Sequence, residues 1–353
     1  MTRNAIEPNG RYSAFTIIDL LVVMLIVCLL SGMVFSAGGL LRAHETANRV
    51  KCASNLRMIG QAIMLYANEN KGNYPRTIYK LDDTVVTQYS GFDAKDPFGK
   101  DGPKANDTTA PLFLLIRTQD LPATAMVCPS TDAKTVEFPA GKTAADFSNF
   151  KSEETLSYSY ANNYPGKDAI NKGYKLNATT SAEFAIAADM NPGTFGESDV
   201  TTAKGPKDQT AAAADMRKAN SLNHRGDGQN ILFGDGHVEF NTNPFAGVKR
   251  DNIYTVAGSD DGSKTTSDKI AASPAGPLDT VLLPTATADP HKKTAAEEEQ
   301  TAAREFRAQL PKIKAAIAQA EQQQGETPRI KEIKQRIAEA EKEAAEIEAK
   351  SKK

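Results

Sequence analysis

The longest apolar run of the chain, residues 15–41, limits what this sequence can fold into more strongly than any other feature. Asp19 is the only charged residue in that run. As an α-helix the run would extend about 40 Å, which exceeds the roughly 30 Å hydrocarbon core of a bilayer. A carboxylate at the centre of a membrane-spanning helix costs roughly 2.5–3.5 kcal/mol, and less near the interface. The sequence therefore predicts one membrane-spanning helix in which Asp19 has a charge partner or lies at shallow depth.

The residues before the run indicate its orientation. Arg3 and Arg11 outnumber Glu7 there, and this slight positive bias predicts a cytoplasmic N-terminus. The expected location is a single pass through the cytoplasmic membrane, with the remaining chain on the extracytoplasmic side. A cleaved secretory signal peptide is one alternative, because VFSA before Gly38 has the small residues of a cleavage site. An uncleaved anchor that tolerates Asp19 near the interface is another.

A third interpretation accounts for the carboxylate. The stretch AFTIIDLLVVMLIV, residues 14–27, resembles the class III signal of type IV prepilins and type II secretion pseudopilins. The resemblance implies that a prepilin peptidase cleaves between Ala14 and Phe15 and then N-methylates Phe15. It also implies that Asp19, at the fifth mature position, governs assembly with other pilin-like subunits on a secretion or pilus assembly platform. The family usually has Gly before the cleaved bond and Glu at the fifth position, so Ala14 and Asp19 depart from its pattern.

Elementary electrostatics fits this implication. Cleavage creates an α-amino group with an ordinary pKa of about 7.7–8.0, which is a cation close to the acid. Asp19, one helical turn away, can neutralise this amine or the amine of a neighbouring subunit. Because an unpaired buried charge is strongly unfavourable, such pairing would fix the stagger between adjacent helices.

The helix is predicted to continue past the apolar run and to support a β-rich domain. Apolar residues recur at helical spacing at Val50, Leu56, Ile59, Ile63 and Tyr66. Gly72 and Pro75 predict the end of this helix. Beyond it, SYSYANNY at 157–164 and AEFAIAADM at 182–190 are predicted strands, and QNILFGDGHVEF at 229–240 is a predicted hairpin around Gly-Asp-Gly.

Several of these segments resemble a large group of bacterial prepilin-like proteins whose soluble domain ends in a His–(nine residues)–Asp-Gly signature. In this chain ten residues separate His224 from Asp235. KCASNLRMIGQAIMLYANENKGNYP is similar to the stem of those proteins. The expected fold class is α+β. A leader (1–14) precedes a long N-terminal helix (15–72, membrane-spanning over 15–41), which packs on an antiparallel β domain (73–257).

The last part of the chain lies outside this resemblance. Residues 258–292 are rich in Ser, Thr, Asp, Gly and Pro, and are predicted to form a flexible linker. Residues 293–353 are rich in Ala, Glu, Lys and Gln, with apolar residues in steps of three and four. They predict an appended helical hairpin or a short coiled coil with an unknown partner. A partly helical, solvated tail is the alternative.

His224, Asp227, Asp235 and His237, together with Asp189, form the one polar group of the sequence that could bind a metal ion. Imidazole and carboxylate ligands suit Zn²⁺, and carboxylates with backbone carbonyls suit Ca²⁺. The resemblance favours Ca²⁺, because major pseudopilins have a Ca²⁺-stabilised loop. A purely structural turn without any cofactor is the alternative that the glycines at 234 and 236 favour.

Cys52 and Cys128 have two open interpretations. If the chain after the run is exported, the two thiols are on the side where disulfides persist. A Cys52–Cys128 disulfide would then connect the helix to the β domain, and two separately buried thiols are the alternative.

Composition excludes some functions and the motifs point to others. The net charge of −2 gives no reason to expect nucleic-acid binding, and the chain has no Walker loop or GxSxG motif. We therefore predict a non-enzymatic pilin-like structural subunit without catalytic residues. The alternatives are a membrane-anchored extracytoplasmic binding protein that does not polymerise and a metal-dependent hydrolase.

Overall fold

The computed structural model describes residues 44–81, 87–194, 212–257 and 269–291, together with separate helical pieces between residues 306 and 345. The described residues have an α+β architecture in which helices pack on a five-stranded antiparallel sheet. The predicted leader 1–14 and the apolar run 15–41 lie outside the described residues, and so does the segment 292–305.

The first described helix, α1, covers residues 44–69. Leu56, Ile59 and Ile63 of this helix are buried, whereas Val50, which the sequence places in the same apolar pattern, is exposed. The helix ends close to the predicted position, because Gly72 adopts a φ of 82° and its N–H donates to the carbonyl of Ala67 at 2.8 Å. This left-handed conformation favours glycine and satisfies a carbonyl of the last turn.

The sheet contains five strands in the order β4-β3-β2-β1-β5, and each neighbouring pair is antiparallel. The strands are β1 (Tyr158–Ala161), β2 (Ala185–Asp189), β3 (Gln229–Phe233), β4 (Val238–Asn241) and β5 (Leu282–Leu283). The first four occur in the three segments that the sequence predicts as strands. β3 and β4 form the predicted hairpin, with a φ of 88° at Gly236 in the turn.

The fifth strand lies within the segment that composition predicts as a linker, residues 258–292. Leu282 and Leu283 pair with Ala161 and Tyr160 of β1, and both leucines are fully buried. Residues 269–291 are therefore part of the domain, and β5 completes one edge of its sheet. Composition does not indicate this strand, because polar residues surround it. Its stability comes from pairing with β1, about 120 positions earlier in the chain.

The core lies between α1 and the sheet. Leu56, Ile59 and Ile63 of α1 are buried in the same apolar cluster as Leu232 of β3. Gly60 permits this close approach, because a Cβ atom at this position would lie 2.9 Å from Cδ1 of Leu232. Three short helices complete the domain: α2 (Ala110–Thr118), α3 (Lys167–Asn171) and α4 (Ala213–Arg217).

The described pieces of the C-terminal tail are helical and contact each other. Residues 310–315 and 334–342 are helical, and Lys314 forms an ion pair with Glu341 at 2.9 Å. A second ion pair joins Lys334 to Glu321 at 2.6 Å. Two exposed ion pairs therefore connect the two helical parts of the tail.

The structure contradicts the predicted membrane-spanning helix. Among the described residues, none of the helices combines the length and the apolar content that crossing a bilayer requires. The longest of them, α1, carries Glu45, Arg49, Lys51 and Arg57 along its length, so it is an amphipathic helix of a folded domain. The predicted long N-terminal helix and the single-pass membrane location are corrected accordingly, and residues 15–41, on which both depended, lie outside the described residues.

Candidate functional site

Four potential metal ligands converge where α1 crosses the sheet. Cys52 comes from the middle of α1, and Cys128 follows a short 3₁₀ helix at Ala123–Met126. Asp189 is the last residue of β2, and His224 lies in the loop before β3. All four residues are 0% exposed, and their ligand atoms lie within 4.8 Å of one another. The site therefore joins four separate parts of the fold in a solvent-excluded position.

Short polar contacts connect these four side chains. The Cys52 thiol donates to Oδ1 of Asp189 with Sγ and oxygen 2.9 Å apart. Nε2 of His224 lies 3.2 Å from Oδ2 of Asp189 and 3.8 Å from Sγ of Cys128. Two thiols, an imidazole and a carboxylate thus point at one another across distances typical of hydrogen bonds.

The other ring nitrogen of His224 faces away from the cluster. Nδ1 of His224 lies 2.7 Å from Oε1 of Glu45, which belongs to the first turn of α1. The hydroxyl of Ser130 donates to both carboxylate oxygens of Glu45 at 3.0 Å. Glu45 therefore keeps an N–H on Nδ1 of His224, and Nε2 faces Cys128 and Asp189.

Asp189 has its own supporting contacts. The backbone N–H of Asn230 donates to Oδ2 of Asp189 at 2.6 Å, and Nδ2 of Asn223 donates to Oδ1 at 3.2 Å. On the far side of the cluster, the hydroxyl of Tyr158 lies 3.2 Å from Sγ of Cys52 and accepts from Nδ2 of Asn55 at 3.2 Å. Each buried carboxylate oxygen therefore has a donor, as buried charge requires.

Burial and neighbouring charges shift the pKa values of three of these groups. Burial raises the pKa of Cys52 well above its ordinary value, and Cys128 and Asp189 raise it further. For Cys128, burial also acts to raise the pKa, but hydrogen bonds with Cys52 and His224 outweigh burial and lower it. Burial lowers the pKa of His224, whereas the adjoining Asp189 carboxylate more than reverses this effect and raises the pKa to about 11. Without a metal ion, His224 is therefore an imidazolium between the carboxylates of Asp189 and Glu45 at neutral pH.

The structure brings together only part of the polar group that the sequence suggests. His224 contacts Asp189, but Asp227 is exposed and pairs with Arg49 of α1. Asp235 and His237 pair with each other in the β3–β4 turn, where each is about half exposed. This turn follows the last residue of β3, whereas the first residues of β3 contact Asp189. The five residues of β3 span roughly 17 Å. These three residues are therefore not members of the buried cluster.

The two cysteines that the sequence suggests as a disulfide are free thiols in the structure. Their positions are nevertheless adjacent, because both sulfur atoms belong to the cluster of ligand atoms within 4.8 Å. The sequence leaves a Cys52–Cys128 disulfide and two separately buried thiols open, and no sequence pattern connects the two cysteines to His224. The signal was available in part, since two thiols and an imidazole are typical zinc ligands. Ala14, Phe15 and Asp19 lie outside the described residues.

Comparison with known proteins identifies no relative of this chain: no family model matches it, and neither a curated protein nor a solved structure matches it. The resemblance to prepilin-like proteins therefore stays a prediction from the residues that carry it.

Proposed function

We propose that this chain is a non-enzymatic, pilin-like structural subunit that a prepilin peptidase processes and that assembles with other pilin-like subunits. The observation that carries the proposal is the attachment of α1 to the sheet. α1 follows directly after the apolar run in the sequence, and it is fixed to the domain along its length. In an assembly, the position of the N-terminal run would therefore determine the position of the folded domain.

Both apolar and polar contacts make this attachment. Leu56, Ile59 and Ile63 are buried against the sheet, and Asn55 donates from α1 to the carbonyl of Val127 at 2.9 Å. Near the start of α1, the guanidinium of Arg49 lies 4.6 Å from the ring centre of Phe240 in β4. A subunit of a filament needs such a rigid connection, because neighbouring subunits contact one another through both the helix and the domain.

The N-terminal sequence supplies the assembly chemistry in this proposal. Cleavage after Ala14 leaves Phe15 with a charged amine, and Asp19 is the acid that would pair with the amine of an adjacent subunit. Packed among apolar side chains, an unpaired carboxylate would be strongly destabilising, so the pairing selects one register between subunits.

A crosslinking experiment on the chain's own cysteines tests the proposal. Cys28 lies within the apolar run, whereas Cys52 and Cys128 are fully buried and protected from reagents. In cells that contain a prepilin peptidase and an assembly platform, a bis-maleimide reagent should crosslink wild-type subunits into covalent dimers, because each subunit offers one reactive thiol. A Cys28→Ser control should give none.

The Asp19 variants decide whether charge pairing governs this assembly. Asp19→Ala should be processed normally but lose the crosslinked dimer, and Asp19→Glu, the residue usual in the resembled family, should retain it. An equal yield of crosslinked dimer from Asp19→Ala would contradict the proposal, and so would wild-type protein that is processed yet remains monomeric.

A binding protein that does not polymerise is the second candidate, and a groove favours it. This groove has a volume of about 540 Å³ and lies beside the C-terminal end of α1, where Tyr66, Tyr74, Arg76 and Tyr174 line it. Its volume is within the range typical of small-molecule sites, about 300–1,000 Å³. Processed but monomeric protein in the crosslinking experiment would favour this candidate.

A further inference from the structure

We propose that Cys52, Cys128, Asp189 and His224 form a structural zinc site that holds α1 against the sheet. This proposal does not depend on the filament function, because it rests only on the side chains of the folded domain. Thiolate, imidazole and carboxylate are all zinc ligands, and four protein ligands without an open position are typical of a zinc ion that stabilises a fold, since catalytic zinc retains a water ligand.

The distances between the ligand atoms fit a tetrahedral zinc ion after small adjustments. Zn–S bonds of about 2.3 Å and Zn–N or Zn–O bonds of about 2.0–2.2 Å place tetrahedral ligand atoms roughly 3.3–3.8 Å apart. The Cys128–His224 distance is 3.8 Å and the His224–Asp189 distance is 3.2 Å. Of these three pairs, Cys52–Asp189, at 2.9 Å, has to separate most, and a thiolate that has lost its proton no longer holds that hydrogen bond. The other three pairs of ligand atoms lie within 4.8 Å.

The surroundings of the cluster resemble the outer shell of a zinc site. Zinc-bound histidines almost always donate their second N–H to a carboxylate, a carbonyl or water. Here Glu45 accepts from Nδ1 of His224 at 2.7 Å, and Ser130 in turn orients Glu45. Asn223 and Asn230 orient Asp189 in the same way. Both non-sulfur ligands are therefore held in place by contacts from outside the set of four ligands.

The ligand set also selects the metal. Ca²⁺ takes six to eight oxygen ligands, whereas Asp189 is the only oxygen ligand in the cluster. Soft thiolates prefer zinc to Ca²⁺ or Mg²⁺. On binding, zinc would displace three protons to solvent, one from each thiol and one from Nε2 of the His224 imidazolium. The Ca²⁺ ion suggested by the sequence is thus not the cation that this buried cluster suits.

Metal analysis of the full-length chain, purified in mild detergent with a thiol-free reductant, tests the proposal. Wild-type protein should retain about one zinc ion per chain through gel filtration and lose it to a strong chelator. Cys28→Ser is the matched control, because Cys28 is the one cysteine of the chain outside the cluster. This control should retain zinc, whereas Cys52→Ser and Cys128→Ser should lose at least ten-fold in zinc occupancy.

Two further measurements keep the test decisive if a cysteine variant fails to fold. Co²⁺ added to chelated wild-type protein should produce a thiolate-to-cobalt charge-transfer band and intense visible bands of a tetrahedral site. Glu45→Gln keeps all four ligands, and it should weaken zinc affinity about 10–100-fold with an unchanged circular dichroism spectrum.

Three results would overturn the proposal. The first is reduced wild-type protein that retains no zinc and gives no cobalt–thiolate band. The second is equal zinc occupancy in wild type and in both cysteine variants, which would place the ion elsewhere. The third is a Cys52–Cys128 disulfide in metal-free protein isolated without exposure to air.

Discussion

Replacement of Ile59 by alanine measures how strongly α1 is attached to the sheet. Ile59 is 0% exposed and belongs to the apolar cluster between α1 and the sheet. The substitution removes three buried carbon atoms, and about 0.8 kcal/mol for each gives a transfer cost of roughly 2.4 kcal/mol. The cavity that remains adds to this cost, and isoleucine-to-alanine substitutions in cores span about 2–5 kcal/mol. We expect the free energy of unfolding to fall by about 2.5–4 kcal/mol.

Leu65→Ala provides the matched control on the same helix. Leu65 is 54% exposed, and a substitution of an exposed residue usually changes stability by no more than about 0.5 kcal/mol. Urea denaturation followed by far-ultraviolet circular dichroism should separate the two variants, and Ile59→Ala should also lower the Tm by roughly 5–15 °C. If Ile59→Ala were no more destabilising than Leu65→Ala, the described packing of α1 on the sheet would be refuted.

Two further predictions concern buried carboxylates. Burial raises the pKa of Asp279 from 3.8 to about 6, so between these pH values the folded protein holds more protons than the unfolded chain. The free energy of unfolding should therefore fall by up to about 3 kcal/mol as pH rises through this window. In thermal melts from pH 4 to 7, Asp279→Asn should make this dependence on pH weaker. An equal dependence on pH in wild type and variant would contradict the raised pKa of Asp279. Asp107 accepts from the backbone N–H groups of Thr109 and Ala110 at the start of α2, at 2.9 and 3.1 Å. Asp107→Ala should lower the free energy of unfolding in urea by roughly 1–3 kcal/mol, because it leaves these donors unpaired. Asp107→Asn keeps one acceptor and should lower it by less. Equal decreases for the two variants would contradict the role of Asp107 as a cap of α2.

Local sequence signals are sufficient to predict the elements whose conformation depends on residues that are close in the chain. The hairpin at 229–240 was predictable because two β-prone segments flank Gly-Asp-Gly, and Gly236 has the positive φ that the turn requires. The end of α1 was predictable from Gly72 for the same reason. In contrast, the sequence analysis does not predict α2 at Ala110–Thr118, although Pro near its start and seven buried residues mark it as a core helix.

Long-range contacts decided what the sequence could not indicate. β5 has two residues, and its stability comes from pairing with β1 rather than from its own composition. The buried cluster likewise joins Cys52, Cys128, Asp189 and His224 from four distant segments. Proximity in sequence instead suggested Asp235 and His237 as companions of His224, and the length of β3 separates them.

The mass and the N-terminal sequence of the mature protein test the central claim most directly. The account predicts that protein from cells with an active prepilin peptidase begins at an N-methylated Phe15, with residues 1–14 removed. An Ala14→Leu variant, with a bulky residue before the cleaved bond, should remain unprocessed. Mature wild-type protein that begins at Met1, or near Gly38, would contradict the account.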